Sequence, residues 1–211
     1  MAKFKGNEMN ILGTPVKVGN KLKDVTLTTN AFEPIKLSEV INHQVAILSI
    51  APSLDTSVCD LQAKGLIARL PENVKLITIT VDLPPAQARW CSANGTNSIT
   101  LSDHKDLEFG MNYGFVIEEL RLLRRGIVLV DSEGIIRFVD YLDEITDQID
   151  FDKFLDEAKK LDALANEILP WVKERKHSDW ERHKIRFVGF VLRFIVLLNL
   201  IQTSNRCKSG A

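Results

Sequence analysis

Apolar residues recur along this chain at two different spacings, and the changes between them mark its elements. Residues 45–50, VAILSI, form a nearly continuous apolar run, as a strand covered on both faces requires. Residues 74–81, VKLITITV, read as a second strand of the same kind. Between the two, residues 55–70 change to helical spacing, which predicts Val58, Leu61, Leu66, Ile67 and Leu70 as a buried face. Residues 84–94 open on two prolines suited to a first helical turn and end at Asn94-Gly95, a stop signal. The runs 126–131 and 135–142 bracket Ser132-Glu133-Gly134 and predict a hairpin. An earlier alternation over 16–30, broken at Gly19-Asn20, predicts a short hairpin near the start. Residues 151–169 carry a strongly periodic amphipathic helix. Strands alternating with helices, closed by an antiparallel hairpin and a helix, predict an α/β domain with a mixed central sheet flanked by helices.

Length and composition suit one well-buried domain with an appendage: 211 residues, 45% hydrophobic and 26% charged. A net charge of −1 points to neither nucleic acid nor an acidic substrate, but it conceals an asymmetry. Residues 1–170 carry a net of −7 and residues 171–211 a net of +6, so body and tail are different kinds of sequence. The expected boundary lies at Pro170, with a domain over 1–170 and a basic, apolar, helical extension over 171–211. Three widely spaced cysteines are too few for a stapled secreted scaffold, and the N-terminal stretch lacks an apolar core of signal-peptide length. The expected compartment is a reducing cytoplasm.

Cys59 stands in the segment PSLDTSVCD, residues 52–60, just after the first apolar strand. With Thr56 as N-cap, Cys59 falls in the first helical turn, where unpaired N–H groups and the positive dipole end favour thiolate over thiol. A hydroxyl three residues earlier can donate to the sulfur, and Pro52 stiffens the approach loop. Two readings are open for such a cysteine: a small buried hydrophobe, or a nucleophile.

The segment PSLDTSVCD resembles the peroxidatic motif of the peroxiredoxins, and in particular of the bacterial thiol peroxidases. The resemblance continues through TVDLPPAQARWCSANG, ITLSDHKDLEFGMNYG and EELRLLRRGIVLVD and covers roughly residues 10–165. It implies a thioredoxin-like fold of the peroxiredoxin type, plus the C-terminal extension, and a role for each matching position. Cys59 matches the cysteine that attacks the peroxide and becomes a sulfenic acid, with Thr56 and Pro52 the motif residues around it. Arg125 matches the active-site arginine, with Arg124 as the fallback. Cys91 matches the resolving cysteine, which implies an intramolecular Cys59–Cys91 disulfide reduced by thioredoxin. Because the two cysteines lie on different predicted helices, bridging them requires local unwinding around 56–62 or 88–95. The resemblance further implies hydrogen peroxide and organic hydroperoxides as substrates, and a homodimer. Lys23-Asp24 departs from the family pattern of an Ala-Pro-x-Phe turn, and Ser57 stands where many relatives have glycine.

Other chemistries find no support in the pattern. His43, His104, His177 and His183 are scattered with no zinc-ligand spacing, no CxxC is present, and the glycines form no phosphate loop, so neither metal nor cofactor is expected. Drawn as a helix, the tail segment 180–201 sets Arg182, Arg186, Gly189 and Arg193 in a stripe against Phe, Val, Leu and Ile. Four readings stay open there: a surface-lying membrane helix, packing on the body or a second subunit, a membrane span weakened by its arginines, or a non-native end. The first of these gives an alternative role for the whole chain, a peroxide-sensing adaptor docked by its tail.

Overall fold

The computed structural model describes residues 2–160 apart from 71–73, 97, 153, 155, 157 and 158. The chain opens with three short strands, β1 (Ala2–Phe4), β2 (Asn7–Met9) and β3 (Ile11–Leu12). Next come β4 (Thr26–Thr28), β5 (Pro34–Lys36), α1 (Leu37–Ile41) and β6 (Ala46–Ile50). The two crossovers are α2 (Ser57–Ile67), leading to β7 (Lys75–Thr80), and α3 (Pro84–Ala93), leading to β8 (Ile99–Ser102). Then follow α4 (Glu108–Tyr113), β9 (Val116–Ile117), β10 (Leu122–Leu123), β11 (Gly126–Val130) and β12 (Ile136–Tyr141).

Seven strands make the main sheet in the order β12-β11-β6-β7-β8-β4-β5. Pairing is parallel for β6–β7–β8 and antiparallel elsewhere, so the sheet is mixed, as expected. The pleat sorts its side chains into two cores, because successive strand residues face opposite sides. Ala46, Leu48, Ile50, Val128 and Val130 join Phe109, Tyr113 and Phe115 on one side. Ile47, Ile127 and Leu129 join Leu66 of α2 and Phe154 on the other.

Two expectations need correction. Residues 16–25 do not fold back on themselves at Gly19-Asn20. Gly19 N–H donates to Ile136 O, Leu22 N–H to Gly134 O, and Lys21 bridges Ile135, so the segment's backbone is satisfied by the β11–β12 hairpin. The buried face of α2 is also rotated from the apolar stripe. Cys59, Gln62, Ala63 and Leu66 are inward, Val58 and Leu70 are half-buried, and Leu61 is 61% exposed. Hydrogen bonding of Gln62 to the sheet decides this orientation, described below. The helix expected over 151–169 is helical at its described positions between 151 and 160; its remainder and the tail lie outside the described residues. Among the described residues no helix is long and apolar enough to cross a membrane.

Lys23-Asp24, the departure noted above, is held by α4 and α1. Tyr113 hydroxyl donates to Lys23 O at 2.7 Å, Lys23 Nζ to Asn112 O at 2.6 Å, and Ser38 N–H to Asp24 Oδ1 at 3.0 Å.

The β1–β2 hairpin, not announced by the sequence pattern, is fastened to residues 143–146. Glu144 accepts N–H bonds from Gly6 at 3.0 Å and Lys5 at 3.2 Å, and a hydroxyl bond from Thr146 at 2.9 Å. Those donors, Gly6 foremost, hold its carboxyl well below its ordinary value, at about 2. An unfolded chain, with this carboxyl near 4.5, takes up the proton before the folded one does. The anchoring contribution is therefore present above about pH 4.5 and is lost as pH falls toward about 2. Thermal melts across that window should fall less steeply for Glu144→Gln than for the parent protein; parallel curves would show that Glu144 does not anchor the hairpin.

Candidate active site

Cys59 occupies the first turn of α2, three residues past Thr56 at the N-cap, and is 1% exposed. Thr56 has the extended backbone of an N-cap, yet its side chain makes no capping bond. Its hydroxyl instead lies 2.8 Å from Cys59 Sγ and 3.1 Å from Ser53 O, one proton facing two acceptors. From the sheet side, Arg125 Nη2 donates to Cys59 Sγ at 3.1 Å. The sulfur therefore sits where a helix N-terminus, a hydroxyl and a guanidinium all favour negative charge.

Strand parity selects Arg125 over Arg124. Residues 127 and 129 of β11 face the α2 side, and carrying that alternation back by one step puts 125 on the same side. Arg124 falls on the opposite face, where its guanidinium lies 5.0 Å from the Tyr141 ring centre and donates to Leu142 O at 3.0 Å. Burial pushes its pKa down from the ordinary arginine value. At the adjoining Gly126 a Cβ would collide with the Asp140 carbonyl and the Phe115 ring, so the strand can start here only with glycine.

Arg125 is itself 1% exposed, and its other two nitrogens each make a hydrogen bond. Nη1 donates to Gln62 Oε1 at 2.6 Å and Nε to Ile145 O at 3.0 Å. Gln62 Nε2 in turn donates to Ser49 Oγ at 2.9 Å. Gln148 Nε2 reaches Val58 O at 2.9 Å, tying the 143–148 segment to the first turn of α2.

Pro52 is buried in the loop between β6 and α2. That loop is fixed by Asp82, which accepts Leu54 N–H at 2.7 Å and the Thr80 hydroxyl at 2.9 Å. Cys91 is not brought to Cys59. It lies half-buried on α3, its sulfur 3.7 Å from Thr100 Oγ1 and 3.9 Å from Ser98 O, and both cysteines are free. Cys91 borders a surface cleft of about 460 Å³ with Asn30, Ser92 and Thr96.

Sequence reasoning thus found Cys59, Thr56 and Arg125 as one cluster and missed Gln62, Asp82 and Gln148. Gln62 had a signal: three residues after Cys59 on a helix, it shares the cysteine's face. Asp82 and Gln148 act across sequence distance and had none.

Residues 18–139 match the model of the AhpC/TSA family. This chain belongs to that family. Its relatives include the thiol peroxidase of Halalkalibacterium halodurans, 42% identical over 74% of this chain and 95% of the relative. The thiol peroxidase of Bacillus subtilis is 41% identical over 75% of this chain and 96% of its own. Among solved structures, a peroxiredoxin-like protein from Aquifex aeolicus superposes with a TM-score of 0.68 at 27% identity, covering 76% of this chain and 96% of that one. The thioredoxin-like fold of the peroxiredoxin type, implied by the sequence resemblance, is the fold observed.

The cluster's interdependence is open to test by the rate of Cys59 alkylation at pH 7. Arg125→Met should slow it by at least about tenfold, since a charge-assisted contact is worth about 1.5–3 kcal/mol. Gln62→Leu, which strips Arg125 Nη1 of its acceptor, should slow it by a smaller factor and lower stability by about 1–3 kcal/mol. Unchanged alkylation in both variants would remove the guanidinium from the account of reactivity.

Proposed function

We propose that this protein is a thiol peroxidase that reduces hydrogen peroxide and organic hydroperoxides through Cys59 and Cys91. The observation that carries the reading is Cys59 Sγ held at a helix N-terminus by Thr56 Oγ1 at 2.8 Å and Arg125 Nη2 at 3.1 Å. The family membership and the named relatives support it.

The Cys59 thiolate attacks the terminal peroxide oxygen, the O–O bond breaks, and the departing alkoxide leaves as alcohol or water after protonation. Cys59 is left as sulfenic acid. Arg125 and the Thr56 hydroxyl are the donors placed to meet the oxygens where charge develops. Pro52, buried in the loop before α2, restricts water. Cys91 then attacks the sulfenic sulfur, releasing water and forming the Cys59–Cys91 disulfide. A thioredoxin-class dithiol returns both cysteines to thiols by exchange.

The chemistry lies within residues 1–170, with 171–211 an appended segment. A homodimer and a cytoplasmic location complete the reading; family resemblance supports the first and sparse cysteines the second. The arginines spaced among apolar residues in the sequence of 180–201 support a second reading, an adaptor docked by its tail to an anionic membrane surface or a partner while its cysteines report peroxide.

The deciding experiment treats the reduced protein with one equivalent of peroxide, blocks free thiols and maps disulfides by mass spectrometry. A Cys59–Cys91 peptide is expected. Cys59→Ser should abolish thioredoxin-dependent turnover, whereas Cys91→Ser should still oxidise once and stop. Full turnover in Cys59→Ser would sink the peroxidase reading. Slow turnover by the parent, with redox-dependent co-sedimentation on anionic vesicles that a 1–170 protein lacks, would favour the adaptor.

A further inference from the structure

Two polar links tie α3 to the neighbourhood of Cys59, one to α2 itself and one to the loop before it. Trp90 Nε1, next to Cys91, donates to Oδ1 of Asp60, next to Cys59, at 2.9 Å. Before α2 begins, Asp55 Oδ2 pairs with Arg89 Nη2 at 3.0 Å. The two links differ in weight. Arg89 and Asp55 are both well exposed, and such a pair contributes little. Trp90 is 6% exposed and packed with Leu54 and Ala63, so its buried indole N–H donates to a partly buried carboxylate. The other Asp60 oxygen is held by Lys64 at 2.8 Å, which orients the carboxylate toward the indole.

Successive helix residues point about 100° apart, as 3.6 residues per turn dictates. While Trp90 faces Asp60, Cys91 is turned to Ser98 and Thr100, and Cys59 is turned to Arg125. A disulfide requires those two diverging sulfurs to meet, so at least one of the helices unwinds beside its cysteine. Either movement carries off one partner of the Asp60–Trp90 bond, because each partner adjoins a cysteine.

We propose that the Asp60–Trp90 hydrogen bond is the clasp that sets the rate of the resolving step, with Asp60 and Trp90 as positioning residues. It must open before Cys91 can reach the sulfenic acid. Two reactions compete for that intermediate. In one, Cys59–SOH and Cys91–SH give the disulfide and water. In the other, a second hydroperoxide transfers oxygen to Cys59–SOH, giving Cys59–SO₂H and alcohol or water. A tight clasp lengthens the life of the sulfenic acid and so raises the sulfinic share.

This inference rests on the peroxidase reading, and one experiment separates the two. Full-length protein is mixed with hydrogen peroxide, quenched at intervals and analysed by mass spectrometry for sulfenic, disulfide and sulfinic species at Cys59. Trp90→Phe keeps an aromatic ring but removes the donor. Asp60→Ala removes the acceptor without opening a cavity at the indole site. In both, sulfenic acid should form at the parent rate, the disulfide should form about tenfold faster, and the sulfinic fraction at high peroxide should fall. The double variant should gain no more than either single one, as expected for a single shared bond. No sulfenic acid in the parent protein would overturn the peroxidase reading itself. Normal sulfenic formation with an unchanged disulfide rate in Asp60→Ala would overturn the clasp, and so would acceleration confined to Trp90→Phe, which would trace the effect to lost packing.

Discussion

Burying a guanidinium is the constraint around which this domain is organised. Taking an unpaired charge out of water is costly, and Arg125 is 1% exposed. The fold satisfies it with three different acceptors: the Ile145 carbonyl, the Gln62 amide oxygen and the Cys59 sulfur. Only the last of these can carry a full negative charge. The arginine and the thiolate therefore depend on each other, and placing them together requires α2 to turn Gln62 and Cys59 inward. That requirement explains why Leu61 is left facing solvent while a glutamine is buried.

The same interaction sets limits on the neighbouring elements. β11 must begin without a side chain at Gly126, because the hairpin and Phe115 close over that point. Asp82 must reach back to Leu54 so that the loop before α2 stays in place. Thr56 gives up the ordinary capping bond and leaves its hydroxyl for the sulfur. Each is a local departure from what a helix or strand would adopt by itself, tolerated because the site over-determines it.

How much of this was legible in the sequence follows from the range of each interaction. The strands at 46–50 and 75–80, the helix start at Thr56 and the proline-led helix at 84–93 are all announced by local periodicity and punctuation. Cys59 and Thr56 come together because three residues of helix bring them together. Arg125 was legible from the family pattern, and strand alternation gives the physical reason for it. The buried face of α2 departs from its apolar stripe because a polar network through Gln62 decides it. The early hairpin was misread because alternation around Gly19-Asn20 does not say which backbone will satisfy it, and the partner lies more than a hundred residues away. Asp82, Gln148 and the Glu144 anchor also leave no local pattern, because each joins segments 28 to 139 residues apart.

The segment from Asp143 to Gln148 touches the N-terminal hairpin, Arg125 and the first turn of α2, across sequence separations of 138, 20 and 90 residues. This has a consequence for biosynthesis. A chain emerging from the ribosome exposes Cys59 early, with α2 free to form but with neither Arg125 nor the 143–148 segment yet in place. Loop closure over such distances comes late in folding. Of the groups around Cys59, the Thr56 hydroxyl is local, but the Arg125 guanidinium and the 143–148 segment arrive only with residues 125–148, so the complete site is a property of the finished domain.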